Sequence, residues 1–178
     1  WGTYITTPVI HKDFAKVNIR TKVCLPENAD PGLYTIETVI FDSSHKEIQK
    51  TKTSLTSLLY GDISQEIVVK NPVLWSPNQP VLYTAKTFLY EGTTLKDQYS
   101  TPFGIRSIEI IPEKGFFLNG EKIVFKGVCN HHDLGPLGAA INVAALRHQL
   151  TLLKDMGCDA IRTSHNMPTP ELVALCDE

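Results

Sequence analysis

The run His131-His132-Asp133, with Cys129 just before it and Arg162, His165 and Asn166 further on, gathers the side chains of this sequence best suited to chemistry. Imidazole, thiolate and carboxylate can each ligate a metal such as zinc, and imidazole can also donate to or accept from a hydroxyl. Against a shared metal stands the geometry of extended chain. Neighbouring side chains there point to opposite faces, so His131 and His132 do not easily reach one ion. No metal site is assigned, and His132 is expected to pack or bond locally. The glutamates, among them Glu121, Glu171 and Glu178, fall in a turn or on helices and read as solvated surface. The loop Gly135-Pro136-Leu137-Gly138 has too few glycines, wrongly spaced, to cradle phosphate. Trp75 could stack on a sugar ring, but its setting between Leu74 and Pro77 favours core packing.

The elements that must carry these residues follow two different grammars. From residue 16 to about 112 the period is two: Val17, Ile19, Thr21 and Val23 alternate with Asn18, Arg20, Lys22 and Cys24, the pattern of a half-buried strand. Further strand-like runs occupy 33–41, 65–69, 81–90 and 96–105, the first of them after the turn cluster Asn28-Ala29-Asp30-Pro31-Gly32. Short strands separated by turn signals predict an antiparallel sandwich of immunoglobulin type over 1–112. Beyond Pro112, Asn119-Gly120 predicts a type I′ hairpin turn within 116–125. A strand is expected over 125–128, then a helix capped by Asn142, carrying Val143, Leu146, Leu150 and Leu153 on one face and closed by Gly157. A second strand is expected over 158–162, and Thr169-Pro170-Glu171 opens another helix. The order strand, helix, strand, helix implies parallel β/α units. About seventy residues follow Pro112, against the roughly 250 of a complete β/α barrel. The expectation for 113–178 is therefore the first part of a barrel.

Composition narrows the partners. With 42% hydrophobic and 20% charged residues the chain is an ordinary ordered globular protein. A formal net charge of -2, with 17 Lys and Arg spread along the chain, leaves no footprint for nucleic acid. No apolar run reaches the roughly 18 residues that span a bilayer. Cys24, Cys129, Cys158 and Cys176 form no C-x-x-C pair and are expected to be free and mostly buried. The chain starts at Trp1 and stops at Asp177-Glu178 inside an expected helix, which reads as a piece of a longer protein and leaves its location open.

The stretch Asp159-Ala160-Ile161-Arg162-Thr163-Ser164-His165-Asn166-Met167-Pro168, followed by Leu172, Val173 and Asp177, resembles the first signature of glycoside hydrolase family two, the β-galactosidase-like enzymes. That signature runs asparagine, any residue, an apolar residue, arginine, two small residues and His-Tyr-Pro, with an acidic residue later. Asp159 stands where it has asparagine, Asn166 where it has tyrosine and Met167 where it has proline. Leu74-Trp75-Ser76-Pro77 and Phe103-Gly104-Ile105-Arg106 resemble late motifs of the family's sandwich domain, and Lys126 to Asp133 resembles the first barrel strand with the loop after it. The motifs occur in family order over essentially the whole chain.

The resemblance implies a retaining exo-β-glycosidase, with β-galactosidase leading and β-glucuronidase or β-mannosidase as alternatives. In such enzymes one carboxylic acid protonates the leaving oxygen while a second attacks the anomeric carbon. By resemblance both are glutamates on later barrel strands, outside this chain, so the chain alone is expected to be inactive. The same resemblance gives Arg162 the orientation of the nucleophile, the alternative being an arginine salt-bridged for stability, and gives His131, Asp133, His165 and Asn166 contact with sugar. The implied partners are a carbohydrate and the remainder of the barrel, with no nucleic acid and no membrane. No cofactor is expected here, while a metal ion and homo-oligomerisation in the longer protein are left open. A non-catalytic carbohydrate-associated sandwich module is the reading from another class.

Overall fold

The computed structural model describes residues 2–56 and 60–178, and the chain divides into two compact units, Trp1–Ser107 and Ile108–Glu178. Seven strands build the first: β1 Thr3–Ile10, β2 Phe14–Cys24, β3 Tyr34–Phe41, β4 Glu47–Ser54, β5 Tyr60–Lys70, β6 Tyr83–Glu91 and β7 Thr94–Phe103. They form two antiparallel sheets, ordered β1-β2-β5 and β4-β3-β6-β7. This is the immunoglobulin-like sandwich. The alternation expected in β2 is present, with Ala15, Val17, Ile19, Thr21 and Val23 buried.

The core of the sandwich is two apolar clusters with a polar layer between them. One cluster contains Val17, Ile19, Ile40, Ile67, Val69, Ala85 and Phe103. The other contains Val23, Leu25, Tyr34, Ile36 and Leu55. On each of β2, β3, β5 and β6 the residue between the clusters is polar and buried: Thr21, Thr38, Gln65 and Thr87. Thr38 Oγ1 donates to Gln65 Oε1 at 2.7 Å and lies 3.2 Å from Thr87 Oγ1, while Gln65 Nε2 donates to the Ile36 carbonyl at 3.3 Å and to Thr53 Oγ1 at 3.1 Å. Hydrogen bonding among Thr38, Gln65 and Thr87 offsets the cost of keeping these groups from water, whereas the buried Thr21 Oγ1 meets no partner among the described residues.

Trp75 and the Phe103-Gly104-Ile105-Arg106 motif account for one another. The Trp75 N–H donates to the Ile105 carbonyl at 2.9 Å, and the Arg106 guanidinium lies 4.5 Å from the indole centroid. A Cβ at position 104 would come within 2.8 Å of Trp75 Cβ, so only glycine fits there. Trp75 is consequently half-buried beneath this segment and is not part of the central core.

The second unit opens with an antiparallel sheet of β8 Ile108–Ile111, β9 Gly115–Leu118 and β10 Glu121–Ile123, in the order β10-β9-β8. Asn119 and Gly120 join β9 to β10 with φ of 53° and 81°, the left-handed pair a type I′ turn requires. Then come β11 Gly127–His131, α1 Val143–Asp155, β12 Ala160–Ser164 and α2 Pro170–Asp177, with β11 and β12 parallel. This is the start of a β/α barrel.

Both barrel strands begin later than the sequence predicts, for identifiable reasons. The Phe125 ring packs 4.6 Å from that of Phe116, and the Lys126 carbonyl accepts from the N–H groups of Asp159 and Ala160, so the ladder starts only at Gly127. Cys158 belongs to the end of α1. Its N–H bonds to the Leu153 carbonyl and that of Gly157 to Lys154, a Schellman closure with Gly157 at φ 87°. Arg162 is thereby central in β12, two residues before the strand's last residue, and not at its carboxyl end.

The cysteines are free, but the expected burial does not hold: Cys24, Cys129 and Cys176 are exposed and Cys158 is half-buried. Cys24 follows buried Val23 in the alternation of β2, which turns it to solvent. No helix among the described residues is long and apolar enough to cross a membrane.

Candidate functional site

Two short parallel strands and the loops after them carry every residue expected at the site. Gly127 lets the strands meet, because a Cβ there would collide with the Ala160 carbonyl oxygen. Asp159 Oδ1 accepts from the Lys126 N–H at 2.7 Å, tying the start of β12 to the start of β11. An asparagine side-chain carbonyl could accept the same bond, so the departure from the signature at this position leaves the contact intact.

Parallel pairing sets Cys129 beside Arg162 and His131 beside Ser164. Strand alternation then puts Cys129 and His131 of β11 on one face with Arg162 and Ser164 of β12. The opposite face carries Val128, Asn130, Ile161 and Thr163, and Asn130 Nδ2 donates to Gln149 Oε1 of α1 at 3.1 Å. Helix α1 is fixed at its N-terminus by Asn142, whose side chain accepts from the Ala145 N–H at 3.0 Å, and Leu146 is its buried residue. Helix α2 has the expected cap, Thr169 accepting from the Leu172 N–H at 3.3 Å, and an Arg147 to Glu178 ion pair of 2.8 Å joins the two helices.

Arg162 is exposed, and its Nη1 donates to Ser164 Oγ at 2.8 Å and to Cys129 Sγ at 3.6 Å. Both contacts use the same nitrogen of the fork. The contacts act back on the thiol: hydrogen bonds from Arg162 first, and then Ser164, hold Cys129 below the usual thiol range, with burial opposing them.

The two histidines meet at the ends of the strands. His131 and His165 stand edge to face, their centroids 5.6 Å apart and planes at 85°. The peptide between Ser164 and His165 is cis. His132 bonds locally as expected: its Nε2 lies 3.0 Å from the Ala139 carbonyl, which can only accept, so that nitrogen carries the hydrogen. Asp133 is tied into its loop, its N–H donating to the His131 carbonyl and its Oδ1 accepting from the Gly135 N–H, both at 2.8 Å.

A crevice between the two loops is lined by His131, Asp133, Asn166, Ser164, Asn130 and Leu146, among others. It unites three of the expected site residues: His131, Asp133 and Asn166. Arg162 and His165 are not in its lining and are linked to it through Ser164 and His131. Met167, beside Asn166, is 90% exposed. Among the described residues no set of three histidine, cysteine or acidic side chains is arranged to hold a metal ion. Ser164 and Cys129 were not among the residues expected at the site. Alternation from Arg162 along β12 points to Ser164, and the parallel register then adds Cys129.

Comparison with known proteins covers the chain in two consecutive matches. Residues 2–106 match glycosyl hydrolases family 2, and residues 109–178 match the TIM barrel domain of the same family. β-Galactosidase BoGH2A of Bacteroides ovatus is 39% identical over 179 aligned positions, covering 99% of this chain and 21% of that protein. The crystal structure of a family 2 member from Bacteroides cellulosilyticus superposes with a TM-score of 0.92 at 34% identity, over 99% of this chain and 23% of the other. The Bacteroides uniformis β-glucuronidase structure gives 0.85 at 30% identity, over 99% and 22%. The chain thus spans about a fifth of the length of the relatives it matches.

Proposed function

Since the chain belongs to glycosyl hydrolase family 2, we propose that it is part of a retaining exo-β-glycosidase whose preferred substrates are terminal β-galactosides. The observation that carries this reading is Arg162, an arginine on one face of β12 held through Nη1 alone by Ser164 and Cys129, with the His131 and His165 rings at the strand ends beyond it. The rest of its planar fork suits a carboxylate, and its fixed charge would keep a nucleophilic carboxylate ionised by lowering its pKa. His131 and His165 then bond sugar hydroxyls, in contacts that strengthen as the ring flattens toward an oxocarbenium ion. Asp133 and Asn166 bind hydroxyls at the edge. We assign these residues to a carbohydrate and not to a metal or cofactor. The acid/base and the nucleophile come from the remainder of the barrel, which is the chain's other partner.

The 39% identity to BoGH2A supports galactose as the sugar. A β-glucuronide is the second reading, favoured by the B. uniformis enzyme, which is 30% identical over 99% of the chain. The test is the full-length protein on a panel of nitrophenyl β-glycosides. Fastest turnover of the galactoside is expected, and fastest turnover of the glucuronide would replace the sugar while keeping the chemistry. Alanine at His131, Arg162 or His165 is expected to lower kcat/KM at least about tenfold with little change in Tm. Unchanged kinetics with a lowered Tm would make these residues structural and sink the assignment.

A further inference from the structure

We infer that Ser164 is a positioning residue of the reaction, fixing the guanidinium of Arg162 for the nucleophilic carboxylate. The inference rests on the role proposed above for Arg162.

Ser164 is 3% exposed, the one buried polar residue of the second unit among the described residues, whereas Arg162 and Cys129 beside it are exposed. Its Oγ accepts from Arg162 Nη1 at 2.8 Å, a charge-assisted bond of good length, while the Cys129 contact at 3.6 Å is a weak sulfur acceptor. The geometry behind it is rigid. Residues 162 and 164 lie on the same face of one strand, and pairing across to His131 fixes Ser164 at the strand end. An arginine side chain turns about several bonds and would sample many orientations if nothing held its tip. The short Ser164 bond holds Nη1 and leaves the remaining donors of the fork to meet a carboxylate. Cys129 cannot replace it, being longer and weaker.

The prediction concerns protonation as well as rate. If Arg162 keeps the nucleophile ionised, loosening Arg162 raises that carboxylate's pKa, and the acid limb of kcat/KM moves to higher pH. The experiment compares Ser164→Ala, Ser164→Cys, Arg162→Ala and the double variant Ser164→Ala/Arg162→Ala in the full-length protein. Ser164→Ala is expected to lower kcat about tenfold or more, with KM changing less, and to shift the acid limb upward. Ser164→Cys, nearly isosteric but a poor acceptor, gives the same shift and carries the test should the alanine variant not melt cooperatively. In the Arg162→Ala background the serine change adds little, because the two act as a unit. An acid limb at the wild-type pH in Ser164→Ala and Ser164→Cys, with Arg162→Ala strongly impaired, overturns the role of Ser164 alone. Wild-type kinetics in Arg162→Ala overturns the reading of Arg162 beneath it.

Discussion

Cys129 and Cys176 are driven in opposite directions by their surroundings. Arg162 and Ser164 lower the pKa of Cys129, whereas partial desolvation of the sulfur, in a residue that is exposed as a whole, and then the charge of Asp177 raise that of Cys176. The thiolate is the nucleophile in alkylation, so the lowered thiol reacts at a lower pH and the raised one only at a higher pH. In the 178-residue chain at neutral pH, iodoacetamide is expected to label Cys129 faster than Cys176, read by peptide mass spectrometry. The Cys129 profile should move up toward the ordinary thiol range in Arg162→Ala. Parallel labelling of the two cysteines would mean that the arginine contact is not kept in solution. The motif residues were legible in sequence as a group, but which of them touch was not. His131 and His165 stand 34 positions apart and meet only through parallel pairing of β11 and β12. Asn166 and Met167, two of the three departures from the signature, follow β12 in a loop that strand alternation does not reach.

Elements were readable where burial writes a pattern and obscure where hydrogen bonding alone shapes the chain. Strand β2 declares itself by alternation, the Asn119-Gly120 turn by its left-handed backbone, and both helices by their caps. Strand β4, Glu-Ile-Gln-Lys-Thr-Lys-Thr-Ser, lies at a sheet edge with most residues exposed, so it shows no apolar period; its order comes from pairing with β3. β1, likewise an edge strand, contains Pro8 and breaks register between Thr6 and Val9, which edge strands tolerate. Close approach is equally invisible in sequence. Gly127→Ala drives a methyl group into the Ala160 carbonyl, whereas Gly120→Ala meets open space and only a backbone penalty at φ 81°. The first is expected to cost at least about 2 kcal/mol and to unpair β11 from β12, the second about 1 kcal/mol. Hydrogen exchange of the amides in β11 and β12 tells them apart. Equal protection in both variants would show that the strands can separate slightly at no cost.

At the scale of the molecule the two units are unlike in how they close their cores. The sandwich packs nearly all its buried residues into the two clusters and the polar layer, whereas the β11-β12 sheet has only two strands. Val124, Phe125, Leu152 and Met156 of the second unit are all at least half exposed. Slow hydrogen exchange is expected in β2, β3, β5 and β6, and faster exchange from Gly127 onward. Uniform protection through Asp177 in a proven monomer would contradict this and make the second unit stable by itself. The purified 178-residue chain is expected to have no glycosidase activity above background, since the residues assigned here bind and position but neither protonate nor attack. Inhibitor-sensitive turnover by the chain would refute that. The polar layer of the sandwich carries a consequence of its own. Apolar side chains are interchangeable partners, so two greasy sheets could slide past one another by one rung and bury nearly as much. Thr38, Gln65 and Thr87 forbid the slide, because moving either sheet by two residues would strand the Gln65 amide against aliphatic carbon, a penalty of about 1 to 3 kcal/mol for each group left unbonded. The layer works as a vernier mark, letting the two sheets lock at a single alignment.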